Sequence, residues 1–187
     1  MIKFYITEHG LIKEIEAPQT GCWISVVEPT EEEIYALIDD YNLDSGFVKS
    51  SLDEEESSRI EKEDDQTLII IDTPVSSVDN DETLFFYTLP IGIILTENYV
   101  FTISSKSTRI VSEAMNGSIR NLATQMKTRF VLQLLLRITT LFLFYLKQIE
   151  KTSSMAEQGL HNAMQNKLLM QLLELEKSLV YFSTSLK

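Results

Sequence analysis

Carboxylates are the abundant reactive groups of this chain, and one short loop gathers them as Asp79-Asn80-Asp81-Glu82. Magnesium and calcium are hard cations that take oxygen ligands from Asp, Glu, carbonyls and water. Asp79, Asp81 and Glu82 are therefore the candidate metal ligands, set against the blander reading of a solvated acidic turn. A second run, from Asp53 to Asp65, holds eight acids against Arg59 and Lys62. On a helix, Glu54, Ser58, Glu61 and Asp65 would share one face, and Glu55 with Arg59 would form an ordinary i,i+4 surface pair. His9 and His161 lie far apart, with no Cys, His or acid at ligand spacing, so they make no zinc site. Cys22 sits in the strand-like run Cys22-Trp23-Ile24-Ser25-Val26-Val27 and reads as a small buried residue rather than a nucleophile. There is no Gly-x-Ser-x-Gly elbow, phosphate loop or Gly-x-Gly-x-x-Gly, and only six glycines in all. We expect no catalytic residues, no organic cofactor and no enzyme activity. Met155, Met164 and Met170 belong to a helical core pattern rather than a thioether site.

Sixteen basic against twenty-eight acidic residues give a net charge of −12. That excludes nucleic acid, whose binding rests on Lys and Arg neutralising phosphates. It also excludes docking on anionic lipid by charge, and suits cations or basic partners. A single cysteine fits a reducing cytoplasm. Lys3, Glu8 and His9 interrupt any early apolar run, so no signal peptide is expected. Phe130 to Leu146 is apolar but only seventeen residues long and carries Gln133, Arg137, Thr139 and Thr140. A span wants about twenty residues and tolerates a central charge poorly, so this reads as a water-soluble packing helix.

The elements that must hold these residues alternate at first. Ile2–Ile6 and Leu11–Ile15 flank a His9-Gly10 hairpin turn, and Cys22–Val27 follows as a third strand. Pro29-Thr30-Glu31-Glu32-Glu33 starts a helix, with Thr30 as N-cap and Glu33 as its capping-box partner. Asn42 to Gly46 ends it and caps a shorter helix through Leu52. Strands are expected at Thr67–Ile71, Leu84–Leu89, Ile91–Leu95 and Tyr99–Ile103, and the unbroken apolar run Leu68–Ile71 predicts burial on both sheet faces. From about Ser107 the chain is helical. One seam runs Val131, Leu135, Ile138, Phe142, Tyr145, Ile149 and another Leu168, Leu172, Leu175, Leu179, Phe182, Leu186, the stripes of an antiparallel hairpin. Its turn is placed at Gln165-Asn166-Lys167, with Gly159 as the alternative. The first arm is also apolar off its seam, at Leu132, Leu134, Leu136, Leu141, Leu143, Phe144 and Leu146, and needs cover on more than one side. The second seam is still running at Leu186-Lys187, so we expect a piece of a longer protein. The fold class is α/β (α+β): a mixed, largely antiparallel sheet with helices on both faces over residues 1–120, then a long helical hairpin over 121–187.

Four segments, in order, resemble the cytoplasmic part of the CorA family of magnesium transporters. They are Trp23-Ile24-Ser25-Val26 leading into Pro29-Thr30-Glu31-Glu32-Glu33, and Leu52-Asp53-Glu54-Glu55-Glu56-Ser57-Ser58-Arg59-Ile60-Glu61 before the strand at Leu68–Ile71. The third is Pro90 to Ile103, a strand, a polar turn and a strand. The fourth is Leu172 to Phe182 in the second helical arm. The resemblance covers essentially the whole chain and implies an α/β/α funnel domain whose hairpin leads to a stalk helix, a pair of membrane spans and a Gly-Met-Asn pore motif. Met115-Asn116-Gly117 is not that motif.

It further implies a homopentamer around one pore, at the cytoplasmic face of the cell membrane, with membrane contact only through later spans. Such a chain would be the ion-sensing and assembly domain of a magnesium or cobalt channel-transporter. Its regulatory Mg2+ would sit between subunits, on an acid from the loop Asp79-Asn80-Asp81-Glu82 and a stalk acid beyond Lys187. Either Asp79 or Asp81 is the counterpart of the family's loop ligand. The rival readings are a zinc transporter of the same architecture, and an acidic module that only oligomerises through the hairpin seam (Leu135, Ile138, Phe142, Leu168, Leu172, Leu175, Leu179, Phe182).

Overall fold

The computed structural model describes residues 1–78, 84–159 and 165–186, with side chains omitted for 157–167. A seven-stranded sheet has the order β2-β1-β3-β7-β6-β5-β4. Its strands are β1 (Ile2–Glu8), β2 (Leu11–Ile15), β3 (Trp23–Val27), β4 (Arg59–Glu63), β5 (Gln66–Val78), β6 (Leu84–Leu95) and β7 (Val100–Ser104). The helices are α1 (Glu31–Asp39), α2 (Ser45–Leu52), α3 (Arg109–Met115), α4 (Lys127–Gly159) and α5 (Gln165–Ser185). β3 and β7 run parallel, whereas β1–β2, β1–β3, β4–β5 and β6–β7 are antiparallel, which makes the sheet mixed. The chain divides into two compact units: Met1–Asp72 with Leu89–Arg137, and Thr73–Thr88 with Ile138–Lys187.

In the first unit, local chemistry sets the elements where the sequence places them. His9 and Gly10 both take positive φ in the two-residue turn that pairs Glu8 with Leu11, as a type I′ hairpin requires. Thr30 Oγ1 accepts from the Glu33 N–H at 3.2 Å while Glu33 Oε2 accepts from the Thr30 N–H at 2.9 Å, completing the capping box. Asp44 caps α2 by accepting from the Phe47 N–H at 2.9 Å. Alternation along β3 sends Ile24 and Val26 to one face, where they meet Leu37, Phe47, Val48, Phe101 and Ile103 in a core shared with α1 and α2. Trp23 points to the other face, against Phe130 of α4. Helices therefore cover both faces. α2 crosses β6 so closely that a Cβ on Gly92 would lie 1.9 Å from Ser51 Oγ; only glycine fits there.

Three expectations need correction. The acidic run is not a helix: Arg59–Glu63 is strand β4, paired with β5 from Arg59↔Ile70 to Glu63↔Gln66. Arg59 bonds Glu61, since on a strand side chains two apart share a face, and Glu56 of the segment before β4, rather than Glu55. Leu84–Leu89 and Ile91–Leu95 are one strand passing through Pro90. Pro90 lies beyond the pair Gly92↔Ile103, so β7 demands no N–H from it. Residues 165–167 are helical, so the hairpin does not turn there; α4 ends at Gly159.

In β5 the apolar run alternates between buried Leu68 and Ile70 and half-buried Ile69 and Ile71. Among the described residues, only α4, over Lys127–Ala156, is long and apolar enough to cross a membrane by length and composition. It also buries Phe130, Val131, Leu134, Ile138, Leu141, Phe142, Tyr145 and Ile149, a stripe wider than one seam.

Candidate functional site

The candidate ligands Asp79, Asp81 and Glu82 lie outside the described residues; their mount does not. In the second unit, Thr73–Val78 of β5 and Leu84–Thr88 of β6 flank the acidic segment in sequence. Phe86 is 1% exposed, with its ring 5.4 Å from Tyr145 and 6.3 Å from Phe182; Phe182 in turn meets Phe142 edge-on at 5.0 Å. Edge and tilted contacts of this kind suit the aromatic quadrupole. The Phe86 N–H donates to Ser178 Oγ at 2.9 Å, and that hydroxyl donates to the Glu174 carbonyl at 2.8 Å. Two residues on, the Ser185 hydroxyl donates to Thr88 Oγ1 at 2.8 Å. A buried strand N–H that finds no strand partner must find another acceptor. Here a helix hydroxyl serves, and it fastens the strand leaving the acidic loop to α5.

The hairpin-seam residues fall as follows. Ile138, Phe142, Leu175 and Phe182 are buried, Leu135, Leu168 and Leu172 half-buried, and Leu179 is 45% exposed. The inward row of α5 runs Leu175–Ser178–Phe182 rather than through Leu179. A straight helix has 3.6 residues per turn and drifts off a 3.5-residue seam, and Ser178 is drawn inward by its bond to the Phe86 N–H.

Elsewhere the carboxylates act as fasteners. Glu54 accepts from Lys106 Nζ at 2.8 Å and from the Ser105 hydroxyl at 3.0 Å, and these bonds hold its carboxyl below the usual range. Glu33 accepts from the Met1 amine at 2.9 Å and from the Ile2 N–H at 3.1 Å besides closing its capping box, and the amine lowers it. Glu113 of α3, only 13% exposed, takes a forked contact from Arg137 of α4 at 2.5 and 2.8 Å and a third bond from Arg109 at 2.8 Å. Burial alone would raise the Glu113 carboxyl; the Arg137 fork, aided by Arg109, holds it below the ordinary range.

A carboxyl depressed in the folded chain contributes stability that is complete above its unfolded value of 4.5 and fades as pH falls through the folded value. Glu113→Gln is therefore expected to cost about 2 kcal/mol at neutral pH and to make the urea midpoint less sensitive to acidification below pH 4.5. An unchanged acid limb would remove Glu113 from that role.

Among the described residues, no three His, Cys, Asp or Glu side chains gather as a metal-holding group. His9 sits in the β1–β2 turn, and His161 lies outside the described residues. Cys22 is fully buried, and burial pushes its thiol up, away from nucleophilic use. Sequence reasoning missed Ser178 and the Glu113–Arg137 pair. Ser178 could have been found, three after Leu175 and four before Phe182, on the inward stripe. The ion pair joins residues 24 apart and leaves no local signal.

With this geometry in hand, the chain was compared with known proteins. The family model for CorA-like Mg2+ transporter proteins matches residues 18–187. The cobalt/magnesium transport protein CorA of Methanocaldococcus jannaschii is 27% identical over 173 residues, covering 88% of this chain and 51% of that protein. The chain thus spans about half the length of the curated relative it matches. The solved soluble domain of CorA from the same organism superposes with a TM-score of 0.82 at 24% identity, over 100% of this chain and 74% of that one. The ZntB cytoplasmic domain from Vibrio parahaemolyticus gives a TM-score of 0.67 at 14% identity, over 97% of this chain and 72% of that one. Those likenesses show the mixed sheet and long terminal helices as a shared fold. The match to the family model, which takes in the capped α1, the β6–β7 hairpin and both long helices, means that this chain belongs to the CorA-like Mg2+ transporter family.

Proposed function

We propose that this chain is the ion-sensing and assembly part of a divalent-cation transporter, standing at the cytoplasmic face of the membrane and assembling with its own copies as a homopentamer. The observation that carries this reading is the family match over residues 18–187. Asp79, Asp81 and Glu82, with Asn80 between them, form an all-oxygen donor set of the kind hard cations prefer. When bound, Mg2+ would supply positive charge between carboxylates of adjoining copies.

The remaining steps belong to the protein. Each copy carries −12, so close approach of acidic surfaces is opposed by repulsion. Asp79, Asp81 and Glu82 lie between β5 and β6 in sequence, and β6 is fastened to α5 through Phe86 and Thr88. A held mount lets differential cation affinity shift the population between close-packed and separated copies, instead of being absorbed by a loose loop.

The test uses the full-length protein. Asp79→Asn combined with Asp81→Asn is expected to raise the Mg2+ concentration giving half-maximal protection from proteolysis by roughly tenfold, the loss of one contact worth about 1.4 kcal/mol. An unchanged concentration would take these residues out of the mechanism.

The second reading is a zinc transporter of the same architecture; the ZntB cytoplasmic domain shares this fold. Zinc prefers His and Cys ligands, and the candidate loop has neither. Protection by micromolar Zn2+ where Mg2+ gives none would favour that reading. Light scattering that shows the same assembly with and without either cation would instead favour a module that only oligomerises.

A further inference from the structure

Within the second unit, α4 and α5 enclose a cleft of about 560 Å³, a volume typical of small-molecule sites. Leu146 and Ile149 of α4 and Leu172 and Leu175 of α5 supply an apolar floor, and one carboxylate comes from each helix, Glu150 and Glu176. Two serines and a further leucine complete the lining, and no basic side chain lines the cleft. Among the described residues neither Glu150 nor Glu176 is in an ion pair, whereas Glu174, two residues before Glu176, is held by Lys177 at 2.6 Å.

Two carboxylates beside one apolar space select their guest. A neutral apolar molecule would cover them without compensation, at a desolvation cost. An anion would be repelled. A bare metal ion would leave the leucine floor unused. What remains is a slender chain of methylenes with a cationic group at each end. We propose that this cleft binds an aliphatic diamine or polyamine, its methylenes over the leucines and one ammonium on each of Glu150 and Glu176 through charge-assisted hydrogen bonds. The inference stands on the cleft alone and does not depend on the transport reading.

Isothermal titration calorimetry of the purified chain with diaminooctane, octylamine and octanediol tests it. The diamine is expected to bind about tenfold more tightly than the monoamine, one extra ammonium–carboxylate contact at about 1.4 kcal/mol, and the diol not measurably. Glu150→Gln and Glu176→Gln should each bring the diamine down to the level of the monoamine, and the double variant should abolish binding. Both carboxylates are exposed, so the variants are expected to keep the parent unfolding temperature, and that measurement separates lost binding from lost structure. Diamine binding that survives the double variant, or equal binding of diamine and diol, or full displacement by an equal concentration of Mg2+, would overturn the proposal.

Discussion

Trp23→Ala is expected to lower stability by about 3–5 kcal/mol, the largest effect of any single truncation in the first unit. Trp23 is fully buried on β3, next to the parallel partner β7. Its ring stacks on Tyr5 at a centroid distance of 4.8 Å and lies 5.4 Å from Phe130. Its indole N–H donates to Thr102 Oγ1 at 2.9 Å. Truncation would therefore open a cavity between strand and helix and cost a buried hydroxyl its donor. These two penalties add, because the surrounding β3, β7 and α4 cannot collapse into the space independently. Trp23→Phe keeps most of the ring but not the N–H, and should cost about 1–2 kcal/mol. Trp23 is the only tryptophan, so the urea midpoint must be followed by circular dichroism rather than fluorescence. A midpoint shift worth less than about 1 kcal/mol for the alanine variant would show that Phe130 and Tyr5 do not depend on this ring.

Phe182→Ala is the corresponding change in the second unit, also with an expected cost of about 3–5 kcal/mol. Phe182 is 1% exposed and touches aromatic rings from two other elements there, Phe142 of α4 and Phe86 of β6. Its neighbour on the inward row, Ser178, holds the Phe86 N–H, so loss of the ring should loosen that bond as well. Amide hydrogen exchange reads this directly: protection of the Phe86 N–H should drop in the variant, while that of Val26 and Ile103 in the other unit should not. A double-mutant cycle with Phe86→Ala should return a coupling of about 0.5–1.5 kcal/mol. Additive effects would mean that the two rings pack independently, and that the acidic loop's mount rests on the Ser178 and Ser185 hydrogen bonds alone.

The consequence for the proposed sensing role follows from the same contacts. Asp79, Asp81 and Glu82 are useful as ligands only if the strands that carry them hold a defined position. Phe182→Ala in the full-length protein should therefore weaken Mg2+-dependent protection without touching a carboxylate.

Several features were decided by the sequence alone, and they share a reason: the physics that makes them is contained within a few residues. Thr30 and Glu33 satisfy each other's backbone donors across a single helical turn. His9-Gly10 takes the positive φ of a tight hairpin locally, since Gly10 has no Cβ to clash. The order of four short segments was enough to identify the family, and the acidic loop was visible as composition.

Tertiary structure decided the rest. Arg59–Glu63 reads as a charged helical surface by local spacing, yet it becomes a strand because β5 offers a free edge that pairs it. The parallel pairing of β3 with β7 joins segments some 77 residues apart in chain number, Trp23 with Val100, and no window of sequence contains both. Ser178 turns inward, and Leu179 outward, only because a strand N–H from 92 residues away needs an acceptor at that point. The Glu113–Arg137 fork likewise exists only once α3 and α4 are brought together. Local rules specify which residues start, stop and face inward; unsatisfied donors and uncovered apolar area, resolved between distant segments, determine which of those options the folded chain keeps.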